Sequence, residues 1–485
     1  MAVDTGASPV PGAPATSGPI EAHSIDHVPE HDRHGKLWQQ APFWFLGNFQ
    51  PFTLAIGLIG PGLGLSLGWS ALAGVLGILF GTFFMAFHAT QGPWLGLPQM
   101  IQSRAQLGYR GVLIALAATL FTLVGFNVID LVILDGGLKS LFGWNATLVG
   151  VVITVGSAIL AIYGHDWLHR AFRVLFFVSI PFWALLTLGV LLGHAGGKPA
   201  TNHGFTLVAF MVQFTAAASY NITYAPYVSD YSRYLPRHTP TKGIIASVYA
   251  GAAGSPMWLI PLGAWMGSHG IADPLVGIRD TGDAFFSPLG TVLTILAVLA
   301  LVATMGINSY SAMLTTVTAV DSVRPVRPTR AIRVVSLAVL AVVWGIIGIG
   351  LIKNFGTALS DTLILMLYVL APWTAINLVD YFFVRRGHYA ITELFKPRGI
   401  YGTWAWRGIT AYIAAILAEL PFVVLSFAKG PAAKALNEVD ISFVIGLMVA
   451  GGLYWVLTRS LDVRAEQPVV ERSERELATI EPVAG

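Results

Sequence analysis

Cysteine is absent from the 485 residues. Its absence excludes disulfides, thiolate metal centres and cysteine nucleophiles. Charge is scarce. Asp, Glu, Lys and Arg make up 11% of the chain, against about 25% in a soluble domain. No HExxH, GxSxG or phosphate-loop pattern occurs, so an enzyme reading has no motif to rest on. No apolar core follows the first residues, and no signal peptide is expected.

What the chain has is apolar side chains. They form 55% of it, and the mean hydropathy is +0.68. The 52 Gly and 27 Pro suit membrane helices, where both are commoner than in soluble ones. A polytopic, all-α membrane protein follows. At about 20 apolar residues per span, twelve candidate spans can be read: 43–67, 70–90, 112–136, 147–164, 171–193, 205–228, 243–267, 287–316, 331–353, 358–384, 408–428 and 440–458. Residues 1–37 read as a disordered cytoplasmic tail, 38–460 as the membrane domain and 461–485 as a charged cytoplasmic tail, helical in part. His23, His27, His31 and His34 fall at helical spacing, a pattern that can ligate metal. In a flexible tail they would first pay an ordering cost, and no metal site is expected.

The basic residues test this map. With the N-terminus in the cytosol, 22 of the 28 Lys+Arg fall on the inner side. The positive-inside rule then places both termini in the cytoplasm and favours an even number of spans. The basic residues are topology signals, and nucleic acid is not a partner. The lipid bilayer is. Nothing in the sequence calls for an obligatory protein partner or a cofactor.

Two spans are interrupted. Pro51 follows Asn48 and Gln50 in the first, and Pro226 follows Asn221 and Thr223 in the sixth. Proline removes a backbone donor, and a freed carbonyl at membrane depth must face protein or a watery cavity. Breaks at matching places in two halves point to an inverted-repeat transporter with its site at the midplane. Two simple kinks are the plain alternative.

Three stretches, His88–Gly111, Tyr224–Pro236 and Ala371–Tyr389, resemble the nucleobase:cation symporter-1 family, the purine–cytosine permeases. The resemblance runs over roughly residues 40–460. It implies twelve helices, ten in a five-plus-five inverted repeat with helices 1 and 6 broken, plus two at the C-terminus. It implies alternating access at the plasma (inner) membrane and symport of a heteroaromatic base with a cation. The stretch around Asn48–Gly64 looks closest to the cytosine and purine branch. Allantoin, hydantoins, uracil, thiamine and pyridoxine are the rival substrates. A base sensor that does not transport is a further alternative. An ion channel is disfavoured, because a channel would show pore-lining rings rather than paired breaks.

A planar base needs apolar or aromatic walls and fixed donors and acceptors at its edge. The resemblance puts Asn127 on helix 3 at a substrate-binding amide, with Phe126 beside it. Leu123 stands where some relatives have Trp. It also puts Tyr220, Asn221 and Tyr224 on helix 6, and Asn308 on helix 8, at the site. Asn48 and Gln50 could serve substrate, cation or freed backbone. The alternative for Asn127 and Asn308 is hydrogen bonding between helices.

Sodium-coupled relatives use two hydroxyls on helix 8. Here Val302 and Ala303 occupy those places, and Thr304 is one position off, about 100° around the helix. Proton coupling is therefore expected, with sodium the alternative. Ionisable groups inside a membrane are functional candidates. Asp130, three residues after Asn127, is the expected carrier, and Glu419 in helix 11 is a second candidate. His88 is expected to pack against the loop that follows it. Asp230, Arg233, Asp380, Arg385 and Arg386 read as topology anchors, with inner-gate ion pairs the alternative.

Overall fold

Pro51 divides the first apolar run into α1 (Gln40–Gly47) and α2 (Pro51–Gly62), bent by 53°. Proline is tolerated at a first helical position, where its missing N–H would be unpaired anyway. Gln50 caps the new start, its Oε1 accepting from the Phe52 N–H at 2.6 Å. The sixth run breaks similarly. α10 (Leu207–Ile222) stops short of Pro226, and the short α11 (Val228–Ser232) follows. Helix is disfavoured just before a proline. The Thr223 hydroxyl turns back on the Ser219 and Tyr220 carbonyls at 2.7 and 3.0 Å.

The computed structural model describes residues 21, 23–194, 204–326, 329–350 and 355–479. α3 (Leu67–His88) leads into three short helices, α4 (Gln91–Leu95), α5 (Gln99–Gln102) and α6 (Arg104–Leu107). Then come α7 (Leu113–Phe142), α8 (Ala146–Tyr163) and α9 (His165–Leu191). After α11 run α12 (Thr241–Ser268), α13 (Pro274–Phe285), α14 (Leu289–Val323), α15 (Arg330–Gly350) and α16 (Phe355–Val379). α17 (Trp406–Glu419), α18 (Pro431–Ala435), α19 (Ser442–Thr458) and α20 (Val463–Ala478) complete the order.

Among the described residues, eight helices are long and apolar enough to cross a membrane, or ten if each of two bent pairs is one span. The twelve expected runs map onto helices, but three are short. α10 has 16 residues, α17 has 14 and α19 has 17. α17 ends where Pro421 forbids another turn. The end of the ninth expected span, 351–353, lies outside the described residues.

Burial sorts the bundle. The most apolar stretches of α7, α14 and α16 are each 67% buried, against 22% for α9, so these three form its middle. Small residues let backbones touch, as membrane helix packing requires. A Cβ on Gly81 of α3 would stand 2.1 Å from the Ala218 carbonyl oxygen of α10.

The first tail departs from expectation. Residues 1–20 lie outside the described residues, but the strap from His23 to Lys36 is seated on one end of the bundle. Ile25 and Val28 are buried. Glu21 pairs with Arg233 and Arg333 at 3.4 and 2.8 Å and accepts from the Tyr310 hydroxyl at 2.7 Å. Burial alone would raise the Glu21 carboxyl, but Arg333 and Arg233 hold it down at about 2. The four strap histidines do not converge. His23 meets Asp26 and Asp32, His27 meets Arg33, His31 approaches Asp32 and His34 meets Asp166.

The same end holds the residues read as anchors. Arg233 is buried against Glu21, and Asp230 accepts from the Gln99 N–H at 3.1 Å. Arg385 joins Asp380 at 2.7 Å and Glu466 of α20 at 2.8 Å. Only Arg386 of the five is exposed. Ion pairing describes Arg233, Asp380 and Arg385, and a backbone hydrogen bond holds Asp230, because a charge taken out of water needs a partner. The His88 ring stacks on Trp373 of α16, ring centroids 4.8 Å apart.

Candidate functional site

The two breaks meet in the middle of the bundle. Asn48 donates to Asn221 Oδ1 at 2.7 Å and to the Ala252 carbonyl at 2.8 Å. Asn221 donates to the same carbonyl at 2.8 Å and to the Thr82 hydroxyl at 2.6 Å. These two amides therefore join α1, α3, α10 and α12. Of their side-chain atoms only Asn48 Oδ1 is buried without a partner.

Beside them lies an aromatic box. Phe52 stacks on Tyr220, centroids 5.1 Å apart and planes 10° apart. Phe126 of α7 meets Phe52 edge-on at 5.6 Å and Tyr224 at 5.8 Å. Trp44 of α1 closes on Tyr224 at 5.8 Å. Gln50 Nε2 donates to the Tyr220 hydroxyl at 2.8 Å, and Thr53 donates to it at 3.1 Å. Phe52 and Trp44 escaped sequence reasoning, because a Phe or Trp in an apolar run looks the same whether it faces lipid or ligand. The position of Phe52 just inside the break was the available signal.

α7 and α14 bring polar groups to the box. Asn127 donates to the Ser309 hydroxyl at 3.0 Å, while its Oδ1 is buried and unpartnered. Asn308 Oδ1 accepts from the Tyr227 hydroxyl at 3.4 Å. Asp130 is 1% exposed, and neither carboxyl oxygen has a partner. Unpartnered buried polar atoms are costly and mark where a ligand or proton would be received. The Thr304 hydroxyl donates to the Ala300 carbonyl at 3.0 Å and reaches the Gly47 carbonyl, at the end of α1, at 3.5 Å. Glu419 stands apart. It is held between α17 and α19 beside Gly446, with both oxygens unpartnered.

A cavity points toward the box but ends short of it, and the box residues are buried. This cavity, of about 780 Å³, descends between α2, α10, α12 and α16 to Ala55, three residues past Phe52. Gln213 braces its wall. Its Oε1 accepts from the Gly60 N–H at 2.7 Å and its Nε2 donates to the Ile56 carbonyl at 3.1 Å. The side chain thus takes the place of one rung of the α2 ladder. At the opposite end the strap and the buried ion pairs close the bundle. There Arg104 binds Asp321 at 2.8 Å and Arg33 donates to the Pro93 carbonyl at 2.6 Å.

Comparison with known proteins gives this arrangement a context. A putative purine-cytosine permease of Bacillus subtilis (strain 168), YxlA, is 33% identical over 440 residues, covering 91% of this chain and 96% of the relative. The purine-cytosine permease FCY2 of Saccharomyces cerevisiae is 24% identical over 266 residues, 52% of this chain and 49% of its own. Mhp1, a nucleobase-cation-symport-1 family transporter in a closed conformation with bromovinylhydantoin bound, shares the fold. The TM-score is 0.72 at 19% identity, over 95% of this chain and 100% of that one. Residues 27–446 match the family described as permeases for cytosine/purines, uracil, thiamine and allantoin. The chain is an integral membrane protein and belongs to that family of permeases.

Proposed function

We propose that the protein imports a nucleobase, cytosine or a purine, by proton symport and alternating access. The observation that carries the reading is the aromatic box at the meeting of the two breaks. Phe52, Tyr220, Phe126 and Tyr224 offer flat walls, and the unpartnered Asn127 Oδ1 faces no protein donor. A ring N–H or exocyclic amine of a base would supply that donor. The names of the relatives support the same class, purines and cytosine in both the bacterial and the yeast protein.

The fold reading goes with it. Twelve helices are assigned, the short α10, α17 and α19 included, with α1–α9 and α10–α16 as the two inverted halves. Both termini are assigned to the cytoplasm at the plasma membrane. The open cavity is then the outer vestibule, and the strap closes the inner side.

Asp130 is proposed as the proton carrier. It lies one helical turn from Asn127 on α7, and no cation or donor holds it. A sodium ion would need several oxygens, and Val302 and Ala303 bring none in their side chains. Thr304 brings one hydroxyl oxygen, whose hydrogen goes to the Ala300 carbonyl. Glu419 is kept as a second proton candidate, outside the two halves.

Competition binding on the purified protein tests the substrate class. Displacement of labelled cytosine by adenine or hypoxanthine, and not by allantoin, hydantoin, thiamine or pyridoxine, is the expected pattern. Displacement only by one of the latter would move the protein to that substrate.

A further inference from the structure

We infer that the strap and the start of α9 form a binding site for a divalent transition metal of the zinc type. His34 Nε2 lies 2.8 Å from Asp166 Oδ1, and His165 Nδ1 lies 3.0 Å from the same oxygen. The three ligand atoms fall within 4.8 Å of one another. Two imidazoles and a carboxylate are a zinc donor set.

The second observation is the other side of each ring. His34 Nδ1 faces the Asp32 carbonyl at 2.8 Å, and His165 Nε2 faces the Tyr231 carbonyl at 3.3 Å. A carbonyl only accepts, so each of those nitrogens carries the hydrogen. In each neutral ring the remaining nitrogen then presents a lone pair to Asp166. With both rings neutral, two lone pairs and a carboxylate oxygen converge with no donor among them, and with His34 protonated the same atoms form an ion pair. Two added protons would relieve the neutral arrangement, and so would one divalent cation. Ring N–H groups held on carbonyls are also the outer-shell arrangement that orients metal-bound histidines.

The ion can be reached. The side chains of His34 and Asp166 are 57% and 66% exposed, which leaves a fourth position for water. His165 is buried, and Glu21 Oε2 accepts from its backbone N–H at 3.3 Å. A bound ion would therefore tie the strap to α9 beside the Glu21 contacts with Arg233 and Arg333. Bound metal holds the strap down and slows opening of that end of the bundle.

Calorimetric titration of Zn²⁺ into the tag-free, full-length protein in detergent tests the site, with Co²⁺ as an optical probe. One equivalent of Zn²⁺ is expected, with tetrahedral visible bands for Co²⁺. His34→Gln and Asp166→Asn should each weaken Zn²⁺ binding about tenfold or more. Both side chains are exposed, and unchanged metal-free unfolding would show that the variants fold. Hydrogen exchange of the strap should slow with Zn²⁺ in the parent and stay as it was in the variants. No saturable Zn²⁺ binding, or binding equally tight in both variants, would overturn the site.

Discussion

Asn48 and Asn221 are 173 residues apart in sequence and 2.7 Å apart in space. One hydrogen bond thus joins the break in the first apolar run to the break in the sixth. Whatever moves α2 relative to α10 must work around that joint, and the aromatic box lies beside it.

Asn127→Ala should weaken base binding about tenfold, the loss of one well-placed hydrogen bond of about 1–1.5 kcal/mol. Equilibrium binding of labelled cytosine reads it directly. An unchanged affinity would take Asn127 out of the site and leave it as a link to Ser309.

Phe52→Leu keeps apolar volume but removes the ring that stacks on Tyr220. Aromatic pairing contributes about 0.5–1.5 kcal/mol beyond area, so affinity should fall roughly three- to tenfold with little change in thermal stability. A large stability loss at unchanged affinity would make Phe52 a packing residue alone.

Asp130→Asn should remove the dependence of uptake on external pH while keeping exchange of labelled for unlabelled base. The amide has the shape of the acid but cannot take up the coupled proton. An intact pH response would sink the carrier role for Asp130, and the same assay on Glu419→Gln would then be the next one to run.

The Glu21 pairing should not share that pH dependence. The Glu21 carboxyl sits at about 2, below its ordinary 4.5. A lowered value stabilises the docked form above 4.5, and the gain is lost as pH falls from there through about 2. The gain amounts to roughly 3 kcal/mol. Glu21→Gln should therefore lower the protection of residues 23–36 by a similar amount at about pH 5 and 7.5, once exchange is corrected for its intrinsic rise with pH, because two buried guanidiniums lose their partner at both. A loss of protection at pH 7.5 alone would contradict the ion-pair account.

Proline made the breaks legible. Pro51 and Pro226 each forbid an uninterrupted helix through their position, and that effect does not depend on neighbours. The long runs at α7, α12 and α14 were legible for a similar reason, since length and apolarity are local properties. The strap was not. Ile25 and Val28 stand alone among Ser, His, Asp and Pro, and only the surface they cover reveals them as buried. Arg233 and Arg385 read as anchors because a sequence gives a charge's side of the membrane but not its partner. Gln213 drew no attention, although it replaces a backbone rung in another helix. Phe52 and Trp44 were hidden for lack of contrast with their apolar neighbours.

Uptake of labelled cytosine into proteoliposomes, under an inward proton gradient without sodium and then an inward sodium gradient without a proton gradient, tests the central claim. The account predicts accumulation with protons alone, abolished by Asp130→Asn. Accumulation with sodium alone would contradict it, and would place a cation at Thr304 and the Gly47 carbonyl instead.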